Sequence, residues 1–208
     1  MRDNARSLME TLCKTALHKT LKDHSVTATF RLTALSIVFG SLFAAASAQA
    51  QGMTPASVFV QGGAGPANIY SLNTGVIWPW AWKSEGGGWS GYTELLVGAW
   101  SARAVGGGRD HFAHIALSPI FRYHFDGGKS PVFFEGGIGL SLTSPKYITP
   151  TKTFSTTFNF ADTLGMGYSF GQNWNQDITL RLQHISNASI KKPNPGEEFL
   201  QLRYTWKY

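Results

Sequence analysis

The feature that most limits the fold is the alternation of side-chain character along the end of the chain. From residue 200 onward, apolar and aromatic side chains occupy every second position: Leu200, Leu202, Tyr204, Trp206 and Tyr208. The positions between them include Gln201 and Arg203, which are polar or charged. A period of two is typical of a β-strand with one apolar face and one polar face. Similar runs recur along the chain, and no long segment has the period of a helix.

Short breaks rich in Gly, Pro, Asn and Asp separate these runs, as turn residues do between strands. They predict eight strands, at residues 56–64, 75–83, 90–102, 109–124, 131–143, 154–168, 175–187 and 197–208. Their number and short connections predict an all-β fold, an eight-stranded antiparallel barrel. The lumen of so small a barrel is filled by side chains, so the protein is expected to be a poor pore.

Two features indicate that the apolar face points outward, into a membrane. The chain has 7 Trp, 7 Tyr and 14 Phe, and they cluster toward strand ends, as in the girdles of membrane barrels. The last strand is apolar and has a terminal aromatic residue, Tyr208, which resembles the insertion signal of bacterial outer-membrane proteins. In hydrocarbon, a closed barrel pairs every backbone group. We therefore predict a transmembrane β-barrel in the bacterial outer membrane; a soluble periplasmic barrel is the alternative. Trp78, Trp80 and Trp82 share a face of the second strand and are expected to form a girdle or a packing ladder rather than a platform for substrate. Lumenal positions expected to form an ion-pair network are Glu94, Glu135, Arg122, Arg181 and Arg203.

The beginning of the chain predicts a cleavable signal peptide. Arg31 precedes the apolar run "LTALSIVFGSLFAAASAQA", which ends in small residues. We place cleavage after Ala50, with Ala48 as the alternative, so that residues 1–50 are the signal peptide and 51–208 the barrel. Cleavage removes the single cysteine, Cys13, and lowers the net charge from +6 to +3, since six of 18 basic and three of 12 acidic residues are lost. That charge does not indicate nucleic-acid binding.

The run "LRLQHISNASI" carries the polar positions that the strand pattern does not explain. His184 and Ser186 share a face with Leu180 and Leu182, and therefore point toward lipid. The next strand brings Glu198 to the same outer surface by its parity, near the extracellular end. Uncompensated polar groups at such a place are costly, which indicates a function.

Serine, histidine and a carboxylate together are typical of acyl-transfer catalysis. The hypothesis is that Ser186 is the nucleophile, His184 its general base, and Glu198 the group that orients the imidazole. Glu197 is the alternative carboxylate, but its parity points to the lumen. Asn187, the backbone N–H groups after it, and Asn194 are the nearest candidates for stabilising the oxyanion.

The stretch "HISNASIKKPNPGEE" resembles the signature of the lipid A 3-O-deacylases, the PagL family of outer-membrane enzymes, and "FFEGGIGLSL" at 133–142 resembles that family's middle strand. The resemblance implies hydrolysis of the ester that links a 3-hydroxyacyl chain to position 3 of lipid A. It implies a catalytic triad of His184, Ser186 and Glu198, with Asn187 and Asn194 matching the two motif asparagines. The expected partners are lipid A, or lipopolysaccharide, and the outer membrane.

Other residues allow two interpretations at this stage. Lys191 and Lys192 are either contacts for lipid A phosphates or ordinary loop charges. Asp162 falls on the lipid-facing side of the sixth strand, so that either the register slips there or Asp162 belongs to the site. The mechanism needs no metal or other cofactor, and whether the protein forms a homodimer is left open. Alternative functions are a non-catalytic barrel for adhesion or membrane integrity, and a lipid A acyltransferase.

Overall fold

The computed structural model describes residues 54–208, so the predicted signal peptide and its cleavage site lie outside the described residues. Eight antiparallel strands form a closed barrel, each paired with its sequence neighbours and the last with the first. The strands are β1 (Ser57–Gly65), β2 (Ile69–Lys83), β3 (Trp89–Arg103), β4 (Arg109–His124), β5 (Val132–Ser144), β6 (Phe158–Phe170), β7 (Gln176–Ser186) and β8 (Glu197–Lys207). Single helical turns occur at Pro66–Asn68, Phe125–Gly128 and Gln172–Trp174. Within residues 54–208, no helix is long and apolar enough to cross a bilayer.

The two ends of the barrel are defined by the pairing of β1 with β8. Ser57, at the start of β1, is paired with Lys207, at the end of β8. Both therefore lie at one end, which we call the lower end. The upper end carries the alternate connections, including the β5–β6 loop (145–157) and the β7–β8 loop (187–196).

Strand positions agree with the predicted ones except at two places. The second strand begins at Ile69 rather than 75, because the polar stretch before Gly75 resembles a loop yet continues the alternation, with Ser71 and Asn73 buried inside the barrel. The sixth strand begins at Phe158 rather than 154. Phe154 instead belongs to the β5–β6 loop and packs inside the barrel, where it is 1% exposed.

The outer face of the barrel is apolar, as predicted for a membrane protein. Side chains on this face include Leu164, Leu182 and Leu200, which are 68%, 61% and 52% exposed. Toward the lower end, Trp80 packs edge-on against Phe121 with ring centroids 5.1 Å apart. A soluble barrel would bury these groups, so the arrangement confirms the transmembrane orientation.

Three groups of side chains fill the interior, of which one is a second apolar cluster of Phe59, Ile77, Tyr92, Leu96, Ala116 and Ile120. The middle layer is the predicted ion network, in which buried carboxylates and guanidinium groups pair across the lumen: Arg181 with Glu94 and Glu135, Arg203 with Glu94, and Arg122 with Glu135 and Asp177. Above it, toward the upper end, lies an apolar cluster of Ile69, Trp100, Ala102, Phe112, Tyr147, Phe154, Ala161, Ile185 and Phe199. The lumen is therefore packed rather than open, as expected for eight strands.

Candidate active site

The upper parts of β7 and β8 bring the predicted histidine and glutamate together. His184 and Glu198 are directly paired across the two strands. Their side chains point outward, and His184 Nδ1 lies 3.1 Å from Glu198 Oε1, a hydrogen bond. The His184 and Glu198 side chains are 42% and 53% exposed, so both groups remain accessible from outside. A carboxylate at Nδ1 fixes the tautomer that leaves Nε2 as a proton acceptor.

Ser186 lies two residues further up β7, on the same face as His184. Its residue is 9% exposed, and it is paired with Phe160 of β6. Within residues 54–208, the one hydrogen bond of its hydroxyl comes from the backbone N–H of Ala188, at 3.4 Å. Ser186 thus makes no hydrogen bond to the imidazole within residues 54–208, and catalytic hydrogen bonds often tighten only when substrate is bound.

A tight turn follows the serine immediately. Ile190 N–H donates to Asn187 O at 3.0 Å, and the two central residues, Ala188 and Ser189, have φ angles of 52° and 61°. Positive φ at both central positions is a type I′ turn, which costs conformational energy for residues other than Gly or Asn. The turn directs the Ala188 N–H toward the Ser186 hydroxyl.

The two asparagines have different surroundings in this turn. Asn187 is 2% exposed, and its Nδ2 donates to Ser155 Oγ and Lys191 O, both at 2.8 Å, which ties the β7–β8 loop to the β5–β6 loop. Asn194 reaches back over the turn, and its Oδ1 accepts from Asn187 N–H at 3.0 Å. Within the described part of the chain, the Asn194 Nδ2 group has no hydrogen-bond partner, so this donor remains available to a substrate.

Gly196 explains how the β7–β8 loop passes over the histidine. Its φ is +68°, and a Cβ added there would lie 2.6 Å from His184 Cε1. Only glycine combines this backbone conformation with so close an approach to the ring. The motif that precedes Glu198 therefore shapes the wall beside the imidazole.

Asp162 belongs to the site, and the strand register does not slip there. It lies opposite His184 on β6 and shares the outward face. The imidazole is therefore flanked by a carboxylate from each neighbouring strand, Glu198 in β8 and Asp162 in β6. Of the two, Glu198 makes the hydrogen bond.

Glu197 points into the barrel, as its parity predicts, and is 1% exposed. Its two oxygens accept from Tyr147 Oη at 2.7 Å and from Lys152 Nζ at 2.9 Å. Lys152 also contacts the outward carboxylate, with Nζ 3.3 Å from Glu198 Oε2. Sequence reasoning missed Lys152 because it stands in an irregular loop, where no strand period indicates which way a side chain points.

An apolar groove of about 630 Å³ begins at the His184–Glu198 pair and runs along the outer surface of the barrel. Its outward-pointing side chains are Ile138, Asp162, Leu164, Leu182, His184, Glu198 and Leu200, and Gly136 lies at its lower part. The exposed leucines form walls suited to a hydrocarbon chain. Lys191 and Lys192 are exposed in the loop above the groove.

Comparisons with known proteins identify the family of this chain. The sequence model of the family "Lipid A 3-O-deacylase (PagL)" matches residues 68–207. Lipid A deacylase PagL of Pseudomonas aeruginosa is 31% identical over 162 residues, which are 76% of this chain and 87% of the relative. Its counterpart in Bordetella bronchiseptica is 32% identical over 135 residues, or 62% and 71%. A crystal structure of the outer membrane enzyme PagL is 26% identical, with a TM-score of 0.62, and covers 74% of this chain and 100% of its own.

Proposed function

This chain belongs to the PagL family of lipid A 3-O-deacylases, and from that premise we propose that its Ser186, His184 and Glu198 are the catalytic triad of a lipid A deacylase. Membership makes the protein an ester hydrolase of the outer membrane that removes an acyl chain from lipid A. The finer proposal is that it cleaves the ester of the 3-hydroxyacyl chain at position 3. Position 3 is proposed from the description of the family. The observation that carries the proposed triad is the His184–Glu198 hydrogen bond on the outer surface, beside Ser186 and at the head of an apolar groove.

In the proposed mechanism, Ser186 Oγ attacks the ester carbonyl carbon while His184 Nε2 accepts the hydroxyl proton. The imidazolium so formed is stabilised by Glu198. When the tetrahedral intermediate collapses, the sugar hydroxyl leaves with that proton, and the acyl chain remains on the serine. Water then attacks the acyl-enzyme with His184 again as base, which releases the 3-hydroxy fatty acid and restores Ser186.

Stabilisation of the oxyanion is assigned to groups of the β7–β8 loop. The Ala188 N–H already points at Ser186 Oγ, and the Asn194 amide is the side-chain donor that the loop leaves available. Asn187, whose amide is bonded to the neighbouring loop, acts as site support by holding the turn in place. Such preorganised donors are usually worth 10² to 10³-fold each in rate.

The substrate position follows from the groove and the loop. We assign the alkyl chain of the substrate to the groove between Leu164, Leu182 and Leu200. The groove walls there are apolar, so the chain can bind without removing water from a polar side chain. The sugar headgroup then lies at the upper end. There Lys191 and Lys192, exposed above the groove, are proposed to contact the phosphates of lipid A.

Mass spectrometry of lipid A from cells that express the protein tests this function. The wild type is expected to remove one 3-hydroxyacyl mass, and Ser186→Ala and His184→Ala are expected to remove none while still folding, as judged by heat-modifiable gel migration. No change with the wild type would favour the non-catalytic barrel, and an added acyl mass would favour an acyltransferase. Retention of activity by Ser186→Ala would exclude the triad.

A further inference from the structure

Lys152 connects the outward and inward carboxylates at the top of β8. Its Nζ lies 2.9 Å from Glu197 Oε1 and 3.3 Å from Glu198 Oε2. Glu198 Oε1 is the atom that bonds to the imidazole, so the two oxygens of this carboxylate have different partners. A chain of contacts therefore runs from the β5–β6 loop through Lys152 and Glu198 to His184.

The backbone of Lys152 is held in place by its own turn. Its N–H donates to Thr149 Oγ1 at 3.0 Å, and Thr149 N–H donates to Lys152 O at 2.8 Å. On either side of this turn, Tyr147 and Phe154 pack together in the interior cluster, with ring centroids 4.9 Å apart. The segment that carries the Lys152 ammonium group is therefore held in place by buried side chains on both sides.

Electrostatics favour a fixed ion pair at this position. Burial lowers the pKa of Lys152, but the hydrogen bonds and charges of Glu197 and Glu198 outweigh it and raise the pKa above its ordinary value. Burial and the bond to Glu197 also raise the pKa of Tyr147 far above its usual value, so its hydroxyl stays protonated as a donor. Glu197 therefore keeps one of its oxygens for the ammonium group of Lys152.

We propose that Lys152 is a positioning residue for catalysis: it holds the Glu198 carboxylate in the orientation that bonds His184, and its charge limits how strongly the carboxylates around the imidazole attract a proton. The inference rests on the proposed triad and assigns to it a fourth residue from a different loop. Lys152 acts through Glu198 and does not contact the ester.

The consequence for the pH dependence follows from the charges that face His184. Glu198 faces it from β8 and Asp162 from β6, and Lys152 is the cation that reaches this group from the β5–β6 loop. Without Lys152, the negative charge near the imidazole is less compensated, so its protonated form is favoured. Because the general base must be neutral, the acid limb of the activity profile then moves to higher pH.

The experiment compares Lys152→Gln and Lys152→Arg with Lys146→Gln, in purified protein acting on lipid A. Lys146 is an exposed lysine of the same loop, so that substitution makes the same charge change outside the site. For Lys152→Gln we expect kcat to fall about tenfold or more, since misplacing a catalytic group is costly. The acid limb of kcat/KM is expected to rise by about 0.5 to 1 pH unit. Lys152→Arg should recover most of kcat, and Lys146→Gln should match the wild type.

Two other roles of Lys152 give different results, and either would overturn the proposal. A contact to substrate phosphate would raise KM and leave kcat and the acid limb unchanged. A purely structural contact would lower thermal stability with no change in the pH profile of the folded enzyme. Lys152→Met, which keeps most of the side-chain length, is measured in parallel, so a folding defect in one variant does not remove the test.

Failure of the proposed function is recognised separately. In the same assay, an inactive wild type, or a Ser186→Ala variant that remains active, would refute the triad itself. NMR of the His184 ring in detergent micelles measures the effect of Lys152 without any turnover, because the hydrogen bond from Nδ1 to Glu198 determines the shift of the ring N–H proton. A changed shift in Lys152→Gln, but not in Lys146→Gln, is expected, and an unchanged shift would overturn the positioning role.

Discussion

Arg181 and His184 are three residues apart on β7, and their surroundings are opposite. Arg181 is 1% exposed and its guanidinium contacts Glu94, Glu135 and Tyr92 inside the barrel. The His184 side chain is 42% exposed, and among the described residues its one hydrogen bond is to Glu198. The same strand thus carries a structural charged group on its inner face and the proposed general base on its outer face. The buried guanidinium of Arg181 is paired with carboxylates inside the barrel, whereas the hydrogen bond of His184 uses Nδ1 and leaves Nε2 for the proposed reaction.

The largest effect is expected where a saturated group is removed. Arg181→Met removes one cationic partner of the buried carboxylates of Glu94 and Glu135. Loss of one partner of a buried ion pair typically lowers the free energy of unfolding by about 3 to 5 kcal/mol. Denaturant unfolding of the barrel in lipid vesicles measures it. The matched control is Arg103→Met, at an exposed strand end, with a change below about 0.5 kcal/mol. Equal stability of both variants would contradict the claim that the interior ion pairs of Arg181 stabilise the barrel more than an exposed arginine does.

Glu198→Gln tests the outer, proposed catalytic group, and we expect this substitution to lower activity rather than stability. Replacing the buried aspartate of a serine protease triad by asparagine costs about 10⁴-fold. For Glu198, which is half exposed and so screened by solvent, we expect kcat to fall about 10²-fold, with the unfolding free energy unchanged within about 0.5 kcal/mol. Steady-state hydrolysis and denaturant unfolding measure the two quantities.

Asp162→Asn distinguishes the two carboxylates beside the imidazole. Because the Asp162 carboxylate has no side-chain hydrogen bond to another residue in the range 54–208, we expect a loss of less than about fivefold in kcat. A loss as large as that of Glu198→Gln would mean that β6, and not β8, supplies the orienting group.

The sequence predicted the two faces of β7 and β8 because a period of two leaves no ambiguity once one residue is assigned. Glu198 outside and Glu197 inside follow from that alternation, as do the lumenal positions of Glu94 and Arg181. The positions of the Lys152 and Tyr147 side chains could not be predicted from the sequence. The β5–β6 loop has no periodic pattern, and it turns inward only because of packing in three dimensions. Phe154 was assigned to the sixth strand for the same reason. Its apolar character correctly indicates that the side chain is buried, but it does not indicate whether the residue belongs to a strand or to a loop.

Gly136→Leu sharpens the comparison by changing the groove without changing a polar group. Gly136 pairs with Leu164 on the outer face, and an added Cβ would lie 3.1 Å from Leu164 Cδ2, so a larger side chain fills the lower groove. We expect kcat/KM for long-chain esters to fall about tenfold relative to short-chain esters, equivalent to about two buried methylenes. Gly62→Leu, on the outer face of β1 but outside the groove lining, is the control. A uniform loss for all chain lengths would argue against the groove as the acyl site.

A small effect, confined to KM, is expected from the exposed loop charges above the groove. Each of Lys191→Gln and Lys192→Gln should raise KM about three- to fivefold with kcat unchanged, since a lysine near an anionic surface contributes about 1 kcal/mol. Screening by salt weakens such an interaction, so the difference from wild type should shrink at about 0.5 M salt. Dephosphorylated lipid A should show no difference at any ionic strength. Lys83→Gln, at the lower end, controls for net charge, and a KM effect that persists on the dephosphorylated substrate would place these lysines against another part of the headgroup.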